Sequence, residues 1–251
     1  MKPSFDLSGR TAIVTGANTG IGQAVAMALA GAGAAVLGVG RSSMADTDRM
    51  IADIGGRFAS FSADLATIEP VDAIVEAALS TFGSVDILVN NAGIIRRADA
   101  IEFTEADWDE VMDVNLKSAF FLSQAVAKRM LPRGRGKIIN IASMLSFQGG
   151  IRIPSYTASK SGLAGLTRLL ACEWAQKGIN VNAIAPGYFV TNNTTALRED
   201  ANRSRDILAR IPAGRWGNPE ELGGAAIFLA SDAAAYVHGT ILPVDGGWLA
   251  R

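Results

Sequence analysis

Short, β-rich apolar runs alternating with longer segments of helical spacing constrain this chain more than any other feature. Residues 11–16 read TAIVTG, the next stretch GIGQAVAMALAGAG has the spacing of a buried helix, and residues 34–40 read AAVLGVG. That is a strand, helix, strand unit. The alternation continues through RFASFSADL, VDILVNNAG, GKIINIAS, INVNAIAPG and TILPVDGG, with helical stretches between most of them. Strands that are apolar throughout, rather than at every second residue, belong to a parallel sheet covered on both faces. The expected fold is therefore α/β: a single Rossmann-type doubly wound parallel sheet with helices on both faces, one domain over 1–251. Only 187–217 breaks the core pattern, with polar residues and glycines between INVNAIAPG and PEELGGAAIFLAS, and a mobile substrate lid is expected there.

Composition agrees with a large core: 251 residues, 49% hydrophobic and 19% charged. Lys plus Arg number 23 against 24 Asp plus Glu, a net charge of -1 that gives no global attraction to nucleic acid or to an anionic membrane. The expected partner is a small molecule. One cysteine, Cys172, rules out an intrachain disulfide framework, and the opening MKPSFDLSGRTAIVTG lacks the layout of a signal peptide. No apolar stretch reaches the length of a membrane span. A cytoplasmic location is the expectation.

The first strand runs into Thr15, Gly16, Ala17, Asn18, Thr19, Gly20, Ile21 and Gly22, which open the following helix. Glycines there permit a tight turn and close backbone approach, while the helix N-terminus presents N–H groups to a pyrophosphate. Alone, the glycines would equally serve helix-on-strand packing. Their strand-turn-helix setting favours a dinucleotide site, and no Lys-Ser or Lys-Thr follows to suggest a triphosphatase loop. The second strand ends at Gly40, where an acid would hold the ribose hydroxyls of NAD, and Arg41 follows. A guanidinium could hold the 2'-phosphate of NADP, or simply open a solvated loop. Asp64, closing the third strand beside Leu65, could meet the adenine amino group or be a turn aspartate.

Ser143 ends the strand GKIINIAS, and Tyr156 and Lys160 lie four residues apart near the start of a helix, hence on one face. An ammonium beside a phenol favours the tyrosinate and should lower the tyrosine pKa from about 10 toward working pH. Tyr156 then becomes a usable general acid or base, with the Ser143 hydroxyl orienting the substrate oxygen. Spacing by itself would fit an exposed helical pair just as well. Ser143 and the glycine turn change that weighting.

Together these segments resemble the short-chain dehydrogenase/reductase family along essentially the whole chain. The resemblance rests on TGANTGIG at 15–22, on Asn90-Asn91-Ala92-Gly93, on Asn115, Ser143, Tyr156 and Lys160, and on Pro186-Gly187 with Thr191 beyond. It implies a catalytic tetrad of Asn115, Ser143, Tyr156 and Lys160. It further implies that Lys160 holds the nicotinamide ribose, that Asn115 positions a water linking Lys160 to solvent, and that Thr191 contacts the nicotinamide carboxamide. Asn115 could also cap backbone groups. A homotetramer built by helices around 107–131 and 156–177 is likewise implied.

The segments IINIASMLSFQGGIRIPSYTASKSG, APGYFVTNN, RIPAGRWGNPEEL and VDGGWLAR are more restrictive and are similar to the sugar-acid branch of that family. They imply hydride transfer between NAD(P) and a secondary alcohol or ketone of a deoxy sugar acid, such as 2-deoxy-D-gluconate or 2-dehydro-3-deoxy-D-gluconate. The cofactor stays open, since Arg41 favours NADP and the closer resemblance favours NAD. A carboxylate substrate calls for a cation or several donors. Arg152, in the loop between Ser143 and Tyr156, is the first candidate, followed by Gln148, Arg97, Asn192 and Arg215, each of which could instead stabilise a loop. Two other functions remain: reduction of 3-oxoacyl thioesters, and a non-catalytic NAD(P)-binding regulatory protein, the latter disfavoured by the intact Ser143, Tyr156 and Lys160. His238 has no companions for a metal or a nucleophilic triad and reads as structural, Cys172 reads as a packed core residue, and no metal is expected.

Overall fold

A computed structural model describes residues 4–251. Seven strands, β1 (Thr11–Thr15), β2 (Ala35–Gly40), β3 (Arg57–Ser62), β4 (Ile87–Asn90), β5 (Gly136–Ile141), β6 (Ile179–Pro186) and β7 (Ile241–Val244), form one sheet in the order β3-β2-β1-β4-β5-β6-β7. All six pairings are parallel. The expected α/β sheet and each of its strands are present.

Strand side chains alternate between two apolar layers because the pleat turns successive residues to opposite faces. Val14, Ile87, Val89, Ile139, Ile141 and Ile184 meet the first layer, which α1 (Gly20–Gly31) and α9 (Gly223–Ala230) cover through Val25, Leu29, Ala226 and Leu229. Ile13, Leu37, Leu88, Ile138 and Val181 meet the second, under α3 (Val71–Phe82), α5 (Ser118–Met130) and α6 (Pro154–Trp174). Both faces are needed to bury such strands. The two edge strands, β3 and β7, are half-exposed. The remaining helices are α2 (Ala45–Asp53), α4 (Glu105–Met112), α7 (Thr195–Glu199) and α8 (Ala201–Arg210).

The sheet order fixes where a ligand can go. From β1 the chain winds outward to β2 and β3, then returns to β4 on the other side of β1. Crossover connections leave in opposite directions from β1 and β4, opening a crevice beyond their carboxyl ends. Beneath it, Asn90 at the end of β4 donates to Asn140 on β5 at 2.9 Å and to Ser123 on α5 at 3.0 Å, and Asn140 donates to Thr167 on α6 at 2.9 Å. These buried amide bonds tie two strands and two helices together under the crevice.

Two expectations change. Segment 187–217 contains α7, α8 and a parallel bridge between Phe189 and Gly217, with Asp200 capping α8 by accepting from the backbone N–H groups of Asn202 and Arg203. Its polar outer face hid a helix that buries little beyond Ile207. Cys172 is exposed on α6, where Leu163, Ala164, Leu170, Ala171 and Trp174 take the buried side. A long helix with small apolar residues all round leaves its buried face ambiguous in sequence. His238 lies 3.2 Å from the Asn180 side chain, which also donates to the backbone carbonyls of Ala234, Ala235 and Val237.

Candidate active site

The crevice is a cleft of about 910 Å³ lined from the turns that follow β1, β2, β4, β5 and β6, together with α8 and the C-terminal turn. Its floor is the glycine turn. Gly16 and Gly20 have φ of +67° and +58°, where a side chain would be strained, and a Cβ on Gly22 would lie 2.1 Å from the Gly16 carbonyl oxygen. Asn91 binds the same turn from β4, donating to the Thr15 carbonyl at 2.9 Å, while Thr15 Oγ1 accepts the Asn91 and Ala92 backbone N–H groups at 2.9 Å each. Helix α1 begins there with no side-chain cap, so its first amides have no side-chain acceptor. That pattern of close-approach glycines and uncommitted donors fits a pyrophosphate. Gly16, Asn18, Thr19, Gly20, Ile21, Gly22, Arg41, Asp64, Leu65, Asn91, Ala92, Gly93, Pro186, Gly187 and Thr191 all line the cleft.

At the adenosine end, Gly40 approaches Asn18 closely, and Asn18 Nδ2 donates to the Ser42 hydroxyl at 2.7 Å. Ser42 also lines the cleft and went unrecognised in the sequence, though it directly follows Arg41. Asp64 accepts from the Ala66 N–H at 3.0 Å, as a turn aspartate does, and lies 3.7 Å from Arg41. Asp64 is thus a turn aspartate that also lines the cleft.

Ser143 leaves β5 in extended conformation, and its hydroxyl accepts the Leu145 N–H at 3.2 Å, starting a tight turn. Tyr156 and Lys160 come from the first two turns of α6, which Pro154 opens at a position where a missing N–H does no harm. The Lys160 ammonium lies 5.7 Å from the Tyr156 ring centroid and donates to the Ile141 carbonyl at 2.6 Å. Burial holds the Tyr156 phenol above its ordinary pKa, against opposing help from a hydrogen bond to Ser143 and from the charge of Arg97. Burial also lowers Lys160 to about 8. The expected lowering of the tyrosine is thus corrected, because desolvation of the phenolate outweighs the attractions present, and the lysine spends its proton on a carbonyl. A neutral phenol in this position is an acid that can donate to a substrate oxygen.

Asn115 sits in a π-helical turn, Asp113–Lys117, between α4 and α5. Its side chain is fully engaged: Oδ1 accepts the Ile94 N–H at 2.8 Å, and Nδ2 donates to the Ile94 carbonyl at 3.0 Å and to the Ser159 hydroxyl at 3.3 Å. It lies behind the cleft wall and fastens the loop after β4 to α6, the capping role left open above.

Of the candidate substrate contacts, Gln148, Arg97 and Asn192 line the cleft, and Arg97 also donates to the Asn193 carbonyl at 3.2 Å. Arg152 and Arg215 do not line it. Arg152, at φ +64°, pairs with Asp99 at 3.0 Å, and Arg215 makes a two-pronged pair with Glu221 at 2.7 and 2.6 Å. Each arginine is drawn off by an acid that loop sequences alone do not assign to it. Unforeseen are Arg210 and Trp248, which reach the cleft from α8 and the C-terminal turn. Their pairing spans too much chain for any local signal. Among the described residues there is no group of three or more His, Cys, Asp or Glu that could hold a metal, and no helix long and apolar enough to cross a membrane.

A sequence profile described as enoyl-(acyl carrier protein) reductase matches residues 16–249. The 2-dehydro-3-deoxy-D-gluconate 5-dehydrogenase of Dickeya dadantii is 59% identical over 249 residues, covering 99% of this chain and 98% of that one. Among solved structures, a provisionally named 2-deoxy-D-gluconate 3-dehydrogenase of Agrobacterium tumefaciens, with bound NADP, is 62% identical with a TM-score of 0.93 over the full length of both chains. A gluconate 5-dehydrogenase of Burkholderia cenocepacia, in complex with NADP and tartrate, is 44% identical with a TM-score of 0.94, covering 98% of each chain. With the glycine cradle, the serine, tyrosine and lysine at one cleft, and relatives of this identity along its whole length, the chain belongs to the short-chain dehydrogenase/reductase family of NAD(P)-dependent oxidoreductases.

Proposed function

We propose that the protein catalyses reversible hydride transfer between NADP and a secondary hydroxyl of a deoxy sugar acid, with 2-dehydro-3-deoxy-D-gluconate or 2-deoxy-D-gluconate as substrate. The observation that carries this reading is the convergence, in one cleft, of a half-buried neutral phenol at Tyr156 with cations that have no acidic partner. When bound, the nicotinamide supplies or accepts the hydride. Tyr156 gives its proton to the carbonyl oxygen in reduction and takes it back in oxidation, Ser143 fixes that oxygen by hydrogen bonding, and the Lys160 ammonium would hold the nicotinamide ribose. Asn115 is a positioning residue that holds α6 against the loop after β4. Gly40 in place of an acid, followed by Arg41 and Ser42, supports NADP over NAD.

Segment 187–217 serves as the lid, with α8 as its moving part, since that helix buries only Ile207. A homotetramer is supported by exposed apolar residues on and near the long helices, Ile101, Trp108 and Leu169, and light scattering of the purified protein tests it. A cytoplasmic setting agrees with the lone cysteine.

Initial rates with both sugar acids, each with NAD(H) and NADP(H), test the function. Turnover of at least one sugar acid, faster with NADP, is expected. No turnover of either, alongside efficient reduction of 3-oxoacyl thioesters, would overturn the substrate class in favour of the acyl reading that the matched profile's description suggests.

A further inference from the structure

A charged subsite is built into the cleft from three segments far apart in sequence. Arg210 is the last residue of α8, Gln148 lies in the loop after Ser143, and Trp248 stands in the C-terminal turn. The Arg210 guanidinium carbon lies 4.0 Å from the centroid of the Trp248 ring. One guanidinium nitrogen donates to Gln148 Oε1 at 3.1 Å, and Trp248 Nε1 donates to the same oxygen at 3.2 Å. Two donors on one oxygen fix the orientation of the amide, so what Gln148 has left to offer is its NH2 group. Trp248 is buried and packs edge-on against Tyr188, with centroids 4.8 Å apart. The platform is therefore rigid although the guanidinium above it is exposed.

The charge on Arg210 is not spent within the protein. Arg41, Arg152 and Arg215 each have a carboxylate within 4.0 Å, whereas among the described residues Arg210 has none. Arg203 and Asp206, two turns and one turn earlier on α8, also line the cleft, and the Asp206 carboxylate forms no ion pair with Arg210 within 4.0 Å. A guanidinium stacked on an aromatic face keeps its in-plane N–H edges free for a planar, two-oxygen acceptor. Arg97 and Arg203, the other cleft arginines without an acid, lack the tryptophan platform of Arg210; the charge of Arg97 acts on Tyr156, and those of Arg203 and Arg210 act on Tyr188.

We propose that Arg210, oriented by Gln148 and Trp248, holds the carboxylate of the substrate. This rests on the sugar-acid reading above. Because Arg210 rides on α8, docking of the carboxylate also draws that helix onto the substrate.

The test compares 2-dehydro-3-deoxy-D-gluconate and 2-deoxy-D-gluconate with 2-deoxy-D-gluconamide, a neutral C1 amide, on the full-length enzyme with NADP. Arg210→Ala should raise KM for the acids by on the order of 10- to 100-fold, the size of a lost charge-assisted contact, with kcat within about threefold. KM for the amide should stay within about twofold, because that ligand offers no charge to lose. Arg210→Lys should recover part of the loss, a point charge lacking the two-pronged fork, and Gln148→Leu should weaken the acids more than the amide. NADP affinity, measured separately, should not change in any variant. Equal effects on acid and amide, or an Arg97→Ala variant that erases the preference for acids while Arg210→Ala keeps it, would overturn the assignment. Wild-type enzyme inactive on both acids would instead overturn the substrate reading, and the subsite with it.

Discussion

Substituting Gly22 by alanine tests the cofactor cradle most directly. The added Cβ would lie 2.1 Å from the Gly16 carbonyl oxygen, 2.4 Å from Asn91 Nδ2 and 2.7 Å from the Gly16 carbonyl carbon, where ordinary contact begins at 3.4 Å. Two of these neighbours are backbone, so no rotamer change relieves them. The turn must retreat by roughly 1 Å, and Asn91 must loosen its 2.9 Å bond to Thr15. Overpacking of this kind costs about 1–3 kcal/mol, and the strained hydrogen bond adds about 1 kcal/mol. In a chain of this size that lowers Tm by roughly 4–15 °C. The larger effect is on binding, since a displacement of about 1 Å in a positioned site weakens it by on the order of 100-fold. Fluorescence titration with NADPH should therefore give a Kd raised by about two orders of magnitude, in protein that calorimetry shows is still folded at the assay temperature. Gly224→Ala is the control: a Cβ there meets nothing within 4 Å in the first turn of α9, and stability should hold or rise by about 0.5–1 kcal/mol. A Gly22→Ala enzyme that binds NADPH within about twofold of wild type would refute the assignment of this turn to the pyrophosphate.

Other outcomes follow from the same geometry. Tyr156→Phe should reduce kcat by at least about 100-fold while NADPH affinity is retained, and near-normal turnover would remove Tyr156 from proton transfer. Lys160, lowered to about 8 by burial, is protonated below that pH and neutral above it. The rate of ketone reduction should therefore be sustained below pH 8 and fall as pH rises through it; a profile flat to pH 10 would show that the ammonium is dispensable. Arg41→Ala should raise KM for NADPH by about 10-fold and leave NADH nearly unchanged, whereas equal effects on both would place the 2'-phosphate elsewhere. Leu88→Ala, in the fully buried centre of β4, should destabilise by roughly 3 kcal/mol in urea melts without altering KM.

The sheet was readable because its signal is local and redundant. Five or six consecutive buried, mostly apolar residues, as in β1, β2 and β5, are accommodated between two helical layers, and each strand repeats that statement independently. The glycine turn was readable for a related reason: a residue type was chosen where Gly22 has no room for a Cβ. Segment 187–217 was read as a lid but not as helices, since α8 has a polar outer face and buries only Ile207. The arginines were the least readable. Sequence favoured Arg152 for its place between Ser143 and Tyr156 and passed over Arg210, yet Asp99 lies 3.0 Å from the first while the second stacks on Trp248. Partner choice among long charged side chains is decided by tertiary placement.

Tyr156 and Lys160 mark the same limit at the centre of the site. Four-residue spacing correctly put both groups on one face of α6, and from that the ammonium was expected to stabilise the phenolate. Spacing carries no information about dielectric. Burial disfavours the charged form of both groups, raising the phenol and drawing the lysine down to about 8, so their pKa values move apart rather than together. The neutral phenol is consequently the form held in readiness, and the enzyme's default polarity is proton donation. Oxidation of an alcohol needs the phenolate, which must then be stabilised within the cleft by the hydrogen bond from Ser143 and by the charge of Arg97, the two influences that already act in that direction. Removing the Arg97 charge should for this reason slow alcohol oxidation at neutral pH more than ketone reduction. An Arg97→Gln enzyme that slowed both directions equally at every pH would show that Arg97 contributes to binding alone.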